Sequence, residues 1–318
     1  MIPSKLIKNI AYRTGFDLCG ITSCHHLAEN EQRFREWLAS GYHADLNYLE
    51  RNLDKRFDVA KLVDGAKSVI VCAVNYKSSR SLGYPTTCRS KIASYACNHD
   101  YHTSLKEMLK ELYITLKKQK PTLQARLFTD SAPLLEKQLA GEAGLGGIGR
   151  QSLLVTPEFG TFVLLGELVI NDEVDHYDTP FEGSRCGDCH RCVDACPNSA
   201  ILPTKNIDAR RCISRLTIEK LPDESENSSL TANRGNASKT GLHGWIFGCD
   251  ECQSCCPHNR TTPYASNPHF AQPFDPAGLT AEEWLTMSEE EFMLRFGQTP
   301  LIRSGLQRIQ HNIQLDRD

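Results

Sequence analysis

Apolar positions in the first half of the chain switch between the spacing of a helix and that of a strand. Within residues 4–18 they recur every three or four positions, which predicts an amphipathic helix. The runs 68–74 and 162–170 are continuous and apolar, which predicts buried strands. The other elements expected here are helices over residues 31–40, 104–118 and 133–143 and a short strand over residues 125–128. Together these elements predict a mixed, α+β domain over residues 1–175.

The second half of the chain is interrupted by polar and cysteine-rich stretches. An acidic loop over residues 172–178 marks a boundary, and the Ser-, Asn- and Glu-rich stretch 222–239 predicts a flexible surface loop. Helical spacing returns over residues 280–296, where Thr280 and Glu283 have the spacing of a capping box. We therefore divide the chain into domains covering residues 1–175, 176–265 and 266–318.

The composition is that of an ordinary globular protein apart from its cysteines. Apolar residues make up 40% and charged residues 24% of the 318 positions, and the net charge is −3. No apolar run is long enough for a membrane span and no signal peptide is evident, so we expect a cytoplasmic protein that does not contact membranes. Of fourteen cysteines, nine fall between Cys186 and Cys256. In a reducing compartment, such clustering indicates metal binding.

The first cysteine run has the spacing of a bacterial ferredoxin. Its members, spaced C-x2-C-x2-C-x3-C-P, are Cys186, Cys189, Cys192 and Cys196, followed by Pro197. In ferredoxins the first three thiolates bind one cubane and the fourth binds the other. The alternative is a four-thiolate zinc site, which requires two C-x2-C pairs instead. The run therefore predicts a ferredoxin-like module with two 4Fe-4S clusters that carries single electrons.

The second cysteine run leaves the ligands open. It contains Cys249, Cys252, Cys255 and Cys256, and Cys212 lies between the two runs. Either Cys255 or Cys212 could complete the cluster that Cys196 joins. Spacing alone does not decide between them, but in both cases Cys256 belongs with the first three cysteines of the first run.

Two further motifs have competing interpretations. Residues 144–149 match G-x-G-x-x-G, but a helix is predicted before them, whereas a dinucleotide site needs a strand there. We expect instead a backbone that lies close to something large and flat. Asp130 follows a predicted strand and could be an ordinary helix-start acid. The same caution applies to Asp100-Tyr101-His102.

Several longer segments resemble one enzyme family, the epoxyqueuosine reductases. The most specific segment runs from Asp208 to Glu219 around Cys212, which generic ferredoxins lack. The others are Asp100-Tyr101-His102, residues 130–150, residues 157–160, residues 246–252 and Pro257-His258-Asn259-Arg260. The resemblance covers residues 5–312.

The resemblance implies a fold, a reaction and cofactors. The fold would be a nitroreductase-like cobalamin-binding domain, then the ferredoxin-like two-cluster module and a short helical C-terminus. The reaction would be the last step of queuosine synthesis, in which the epoxide of epoxyqueuosine at the wobble position of tRNA is reduced to the cyclopentene. Electrons would pass through the 4Fe-4S clusters to cobalamin (vitamin B12) and reduce its cobalt to Co(I).

The resemblance also assigns residues. It implies that one cluster is held by Cys186, Cys189, Cys192 and Cys256. It implies that the other is held by Cys196, Cys212, Cys249 and Cys252. Asp130 would protonate the leaving oxygen, helped by a raised pKa and supported by Tyr101 and His102. The cobalamin contacts would be Arg56, Asp130, Leu154, Leu165, Ser214, Cys249 and Asp250.

The sequence differs from longer members of the family in a region that helps to bind tRNA. Longer family members carry C-terminal helical repeats that help to bind tRNA, whereas this chain ends at Asp318. We expect tRNA to contact the 222–239 loop and the basic residues Arg210, Arg211, Arg215 and Lys220. A monomer is expected, with a flavodoxin- or ferredoxin-type electron donor.

Two other functions compete with this one. The first is a reductive dehalogenase-like cobalamin and iron–sulfur enzyme with a small organic substrate, but such enzymes usually carry a twin-arginine signal, which we do not find. The second is an electron-transfer subunit, which would not need some 175 residues ahead of the cysteines.

Overall fold

The computed structural model describes residues 1–219, 241–271 and 273–317. The elements of the first half are α1 (Ser4–Arg13), β1 (Leu18–Ser23), α2 (Ala28–Ala39), α3 (Leu53–Phe57), α4 (Val59–Leu62), β2 (Ser68–Asn75), β3 (Lys91–Ile92), α5 (Tyr101–Gln119), β4 (Ala125–Phe128), α6 (Glu136–Glu142), β5 (Gly147–Ile148), β6 (Leu154–Val155) and β7 (Val163–Ile170). Those of the second half are α7 (Arg191–Ala195), α8 (Ile213–Ile218), β8 (Trp245–Phe247), α9 (Glu251–Ser254), α10 (Ala281–Thr286), α11 (Glu289–Phe296) and α12 (Gly305–Arg317). Short 3-10 helices lie at Asn47–Glu50, Ser79–Leu82, Ser94–Cys97, Pro257–Asn259, Pro276–Gly278 and Pro300–Arg303.

The three predicted strands and β1, which was not predicted, form one four-stranded antiparallel sheet in the order β1-β2-β7-β4. Every residue of β2 is buried, as its continuous apolar run predicted. The central strand β7 places Glu167 opposite Val71 on one side and opposite Phe128 on the other. Glu167 is therefore an acidic residue in the interior of the sheet. Its partner on β4, Phe128, is the last residue of that strand and comes two residues before Asp130.

Helices cover both faces of this sheet. Helices α1 and α5 pack on one face, where Ile7, Leu105 and Leu109 are fully buried. Helix α6 packs on the other face through Leu139 and Ala140. The predicted mixed α and β character is confirmed, with helices on both faces of an antiparallel sheet.

The predicted helices all differ in bounds from those observed, and three of the differences have a clear local cause. Helix α1 ends at Arg13 because Gly15 has a φ of +100°, which stops the helix. Helix α6 begins only at Glu136, three residues after Pro133. The helix predicted over residues 280–296 is wrong as one element, because Ser288 caps a second helix with its side chain. The Thr280–Glu283 capping box is confirmed.

The C-terminal helices pack on the middle of the chain. Trp284, Phe292 and Ile309 share a core with Ile92 and Phe247. This core anchors the segment around Arg303, whose side chain approaches Asp130. In the part of the chain that the structure describes, no helix is both long and apolar enough to cross a bilayer. The loop predicted over residues 222–239 lies outside the described residues.

Candidate active site and cluster cysteines

The first group of cysteines surrounds the start of α7. The pKa of Cys192 is raised mainly by burial and then by the neighbouring thiols of Cys186 and Cys256. The pKa of Cys256 is likewise raised by burial, with Cys186 and Cys189 adding to it. Thiols influence one another in this way only when they lie close together. The structure thus brings together the four cysteines that both sequence interpretations assigned to one cluster.

A second group forms where α8 meets α9. Burial raises the pKa of Cys252, and the thiols of Cys249, Cys212 and Cys196 raise it further. The neighbours of Cys255 are instead Cys192 and Cys256 of the first group, and burial is again the main cause of its raised pKa. Cys212 therefore lies within the second group while Cys255 borders the first. This arrangement supports the ligand set implied by the family resemblance, which stays a prediction.

The grouping suits cubane clusters better than a single ion. Among the described residues, no three His, Cys, Asp or Glu side chains converge on one metal-ion position. A cubane does not need such convergence, because each thiolate binds its own iron atom. Backbone amides also point at the sulfurs: Arg150 N donates to Cys186 Sγ at 3.4 Å and Ala200 N to Cys196 Sγ at 3.2 Å. Such bonds tune cluster potentials.

Asp130 lies in the loop between β4 and α6, in an unusual backbone conformation. Its φ is +48°, in the left-handed region, which aspartate adopts more readily than most residues do. Its backbone N–H donates to Glu136 Oε1 at 2.5 Å. Because α6 begins six residues later, the interpretation of Asp130 as a helix-start acid is wrong. Asp100, in contrast, does lie at a helix start: its side chain caps α5 by accepting a hydrogen bond from His102 N.

Three side chains surround the Asp130 carboxylate. Tyr101 Oη donates to Asp130 Oδ2 at 2.5 Å. His102 Nε2 lies 3.7 Å from the same oxygen, while its Nδ1 lies 2.8 Å from Asp100 Oδ1. Arg303 Nη1 approaches that oxygen to 3.8 Å from the C-terminal region. The cluster therefore joins a loop, the first turn of α5 and a residue far along the chain.

This environment decides where the proton resides. Partial burial alone would raise the pKa of Asp130, but the nearby imidazolium of His102 and the hydrogen bond from Tyr101 outweigh it and hold that pKa below its usual value. The predicted raised pKa of Asp130 is therefore wrong. The hydrogen bond with Asp100, followed by the attraction of the Asp130 carboxylate, raises the pKa of His102 to about 9. At neutral pH the imidazole holds the proton and Asp130 is ionised, so the pair contains one transferable proton.

Two further acidic residues near the Asp130 loop, Glu136 and Glu167, were not predicted from the sequence. Burial raises the pKa of Glu136 to about 7, with the Asp130 charge adding to it. Burial also raises the pKa of Glu167 well above its usual range, and the Glu136 charge contributes. The signal was present in the sequence, since Glu167 is the single charged residue in the apolar run 162–170.

Glu136→Gln is expected to reduce the pH dependence of stability. A group whose pKa is raised on folding stabilises the fold fully below its unfolded pKa, and this contribution is lost as pH rises through the folded pKa, here from about 4.5 to about 7. Asp130, Glu167 and Lys137 are the charged groups that act on Glu136, and all remain in the variant. Between pH 5.5 and 8 the thermal midpoint of the intact protein should fall about 2–6 °C less in the variant than in the wild type. Parallel decreases would contradict the raised pKa.

The glycine-rich segment has a different role from the predicted one. A Cβ at Gly146 would lie 2.4 Å from Val155 O, and one at Gly147 would lie 2.9 Å from Gly183 O. The segment forms the β5–β6 hairpin, which follows α6. These glycines are therefore explained by close contact with the protein's own backbone. The helix before the motif agrees with the expectation that it is not a dinucleotide site.

The residues predicted to contact cobalamin come from several elements. Leu154 and Leu165 belong to the same apolar cluster on the α6 face of the sheet. Ser214 lies in α8, whose residue Thr217 accepts a hydrogen bond from Gly248 N, next to Cys249. Asp250 is buried and accepts from Ser94 N at 2.7 Å. Tyr95, the residue after Ser94, packs edge-on against Tyr101 with ring centroids 5.9 Å apart, and Tyr101 in turn donates to Asp130.

Arg56 has a buried side-chain donor that lacks an acceptor among the described residues. Its side chain is buried above the ring of Phe34, and its Nε has no hydrogen-bond partner among the described residues. A buried donor without an acceptor is costly, so an acceptor-rich ligand would satisfy it. The amide groups and phosphate of cobalamin are such acceptors. On this observation the residues present fit cobalamin.

A cavity of about 290 Å³ opens beside the Asp130 cluster. It is lined by Asp45, Leu46, Tyr48, Ile218, Glu219 and Arg303. Through Arg303 it adjoins Asp130, and the pKa of Tyr48 is raised by burial, by Glu219 and by Asp130. A larger cavity of about 610 Å³ lies between residues 85–90 and the end of α12 and contains none of the site residues.

Two of the four basic residues predicted to bind tRNA are paired within the protein. Arg215 is buried and donates from Nε to Asp45 Oδ1 at 2.8 Å, so its predicted role in tRNA contact is wrong for this conformation. Arg210 makes a two-pronged pair with Asp208 at 2.8 Å for each bond, although it stays exposed. Arg211 has an Nε that is buried and without a partner in the described residues. Lys220 lies outside the described residues.

The chain is similar to known proteins both in sequence and in structure. A family model described as "Epoxyqueuosine reductase QueG, DUF1730" matches residues 56–131, and one described as "4Fe-4S double cluster binding domain" matches residues 185–259. The epoxyqueuosine reductase of Cyclobacterium marinum is 39% identical, over 98% of this chain and 95% of that protein. That of Xanthomonas campestris is 34% identical, over 96% of this chain and 84% of that protein.

Solved structures agree with these relatives. An epoxyqueuosine reductase crystallised with an epoxyqueuosine-modified tRNA-Tyr stem loop is 28% identical and superposes with a TM-score of 0.82, covering 98% of this chain and 80% of that chain. The Bacillus subtilis enzyme, solved with its catalytic aspartate loop swung out of the active site, gives a TM-score of 0.81 at 28% identity. The match to the double-cluster domain confirms the two 4Fe-4S clusters predicted from the cysteine runs.

Proposed function

Because this chain belongs to the epoxyqueuosine reductase family, we propose that it reduces the epoxide of epoxyqueuosine in tRNA to the cyclopentene of queuosine. The relative crystallised with the modified stem loop supports tRNA as the substrate. The observation that carries the proposal is the proton-bearing Asp130–His102 pair, which adjoins a cavity and is linked through Tyr101 and Tyr95 to the segment that contacts Asp250, next to Cys249.

The proposed reaction consumes two electrons and two protons and releases water. The 4Fe-4S clusters supply the electrons one at a time. Cobalamin, when bound, supplies a reduced cobalt centre that is nucleophilic enough to open an epoxide. Arg56, Ser214 and Asp250 are the proposed polar contacts to it, and Leu154 and Leu165 the apolar ones.

The protein's own part is to deliver a proton to the oxygen that leaves carbon. Asp130 Oδ2 receives hydrogen bonds from Tyr101 and lies within reach of the protonated His102. A proton that passes from His102 Nε2 to this carboxylate makes Asp130 a general acid in spite of its low pKa. Asp100 holds the imidazole in place through Nδ1 at 2.8 Å. Arg303 lies at the edge of the cavity, where it can orient an anionic group of the nucleotide.

We further propose the finer architecture that the family resemblance implied. Residues 1–175 would form a nitroreductase-like cobalamin-binding domain, residues 176–265 the cluster module and residues 266–318 a helical segment. The sheet with helices on both faces and the cysteine groups between residues 186 and 256 support this division. A flavodoxin- or ferredoxin-type donor and a cytoplasmic location are consistent with single-electron chemistry on tRNA.

Complementation tests this function in cells. The gene should be expressed in a bacterial strain that accumulates epoxyqueuosine because its own reductase has been deleted. Nucleosides from its tRNA should then contain queuosine, as mass spectrometry would detect. Expression of a Cys186→Ala variant serves as the control and should leave epoxyqueuosine in place. If the wild-type gene also leaves only epoxyqueuosine although clusters and cobalamin are present, the proposed substrate is wrong.

A further inference from the structure

The carboxyl group of Glu167 is an acidic group buried in an apolar core without a hydrogen-bond donor among the described residues. Its side chain is 0% exposed, and neither carboxyl oxygen has a hydrogen-bond donor among the described residues. It lies on the central strand, opposite Phe128, which is two residues before Asp130. A carboxylate without donors in an apolar core is strongly disfavoured, so this group must either be protonated or share a proton.

Glu136 is the group that can share this proton. Helix α6, which begins at Glu136, packs against β7, which carries Glu167, and each of the two carboxyls affects the pKa of the other. Two carboxylates cannot hydrogen bond to each other, because neither has a donor. A single proton between them provides that donor and removes one of two adjacent charges. The raised pKa values of both groups agree with this arrangement.

The same Glu136 also contacts the catalytic loop. Its Oε1 accepts from Asp130 N at 2.5 Å, while the Asp130 backbone has the left-handed φ of +48°. The start of the loop is fixed separately, because Thr129 Oγ1 donates to Leu165 O at 3.1 Å on the central strand. Glu136 is therefore the contact that holds the strained residue itself.

We propose that Glu136 is a positioning residue for Asp130: it shares a proton with Glu167 and, by accepting the Asp130 amide, fixes the backbone that directs the Asp130 carboxyl toward Tyr101 and His102. Glu136 affects turnover only if Asp130 donates the proton, as proposed above. Its effect on the loop does not depend on turnover. The Bacillus subtilis relative, in which a catalytic aspartate loop was found swung out, shows that such a loop can take two positions in a related protein.

The experiment compares Glu136→Ala, Glu136→Gln and a control, Glu29→Ala. Ala removes the acceptor, whereas Gln keeps an acceptor oxygen for Asp130 N and a donor for Glu167. Glu29 is an exposed acid in the first turn of another helix, α2. Hydrogen exchange is measured by mass spectrometry on a peptide that spans residues 129–135 of the holoprotein. Turnover of an epoxyqueuosine stem loop is measured in parallel.

The expected results separate positioning from a merely structural role. Glu136→Ala should exchange about 10-fold faster in the loop peptide and lose about 10–100-fold in kcat with little change in KM, because a misplaced acid slows the chemical step rather than binding. Glu136→Gln and Glu29→Ala should behave like the wild type in both measurements. If Ala does not fold, Glu136→Leu replaces it, since leucine fills the space but accepts no hydrogen bond.

Two results would overturn the role of Glu136. The first is unchanged exchange of the loop peptide in the Ala or Leu variant. The second is a Glu136→Gln variant that is as impaired as Glu136→Ala. The negative charge of Glu136 would then matter, rather than the shared proton and the hydrogen-bond acceptor. If the wild type does not turn over the stem loop at all, the proposed function fails, and the exchange measurement still decides on the positioning role.

Discussion

Asp130→Asn is expected to slow reduction of the epoxide by about 10²–10⁴-fold, the usual contribution of a general acid. Asparagine keeps the shape and can still accept from Tyr101, but it cannot take up a proton from His102 and pass it on. Binding of cobalamin and of tRNA should change little. The rate is measured as conversion of an epoxyqueuosine stem loop, with cofactor occupancy checked from the visible spectrum.

The matched control for this variant is Asp64→Asn. Asp64 is exposed in the loop before β2 and makes no side-chain hydrogen bond or ion pair with the described site residues, so its loss of charge should not alter the rate. Near wild-type turnover of Asp130→Asn at full occupancy would show that Asp130 is not the acid. His102, whose pKa of about 9 keeps it protonated, would then be the next candidate, followed by Tyr101.

Cys212→Ala is expected to remove or damage one of the two clusters and to abolish turnover, whereas Cys255→Ala should keep both clusters. Cys212 neighbours Cys252, while Cys255 neighbours Cys192 and Cys256, which already belong to a complete group of four. After anaerobic reconstitution the Cys255 variant should hold about eight iron atoms and the Cys212 variant about four. Electron paramagnetic resonance of the reduced proteins identifies which cluster is lost.

The two variants control each other, because both remove one partly buried thiol from the same module. The reverse pattern, with a cluster lost in Cys255→Ala and both kept in Cys212→Ala, would contradict the family-based ligand set. The plain ferredoxin assignment, with Cys255 beside Cys196, Cys249 and Cys252, would then hold.

Local patterns were enough to predict three strands and five helical segments, but not β1 or α12. The strands 68–74 and 162–170 were found within one residue because continuous apolar runs are visible without tertiary information, and the strand 125–128 was found with its observed bounds. The division of 280–296 into two helices was missed although Ser288 and Glu291 have N-cap spacing. Apolar residues recur with helical spacing across the break between the two helices, so the N-cap at Ser288 was not recognised.

The environment of Asp130 could not be predicted in the same way. Arg303 reaches it from 173 positions along the chain, and the Glu136–Glu167 pair depends on how a loop folds over the central strand. These contacts reversed the predicted direction of the Asp130 pKa, because the cations and hydroxyls that lower it come from other elements. Similarly, Arg215 looked like a surface charge until the fold buried it against Asp45.

The central claim is that this protein itself reduces epoxyqueuosine in tRNA. Its most direct test is a reaction of purified components: the anaerobically reconstituted holoprotein, a chemical or flavodoxin reductant, and an anticodon stem loop that carries epoxyqueuosine. Nucleoside mass spectrometry should show the modified base losing one oxygen atom to become queuosine, only when cobalamin and reductant are both present. Unchanged epoxyqueuosine after many hours, with both 4Fe-4S clusters and cobalamin spectroscopically intact and reduced, would contradict the account.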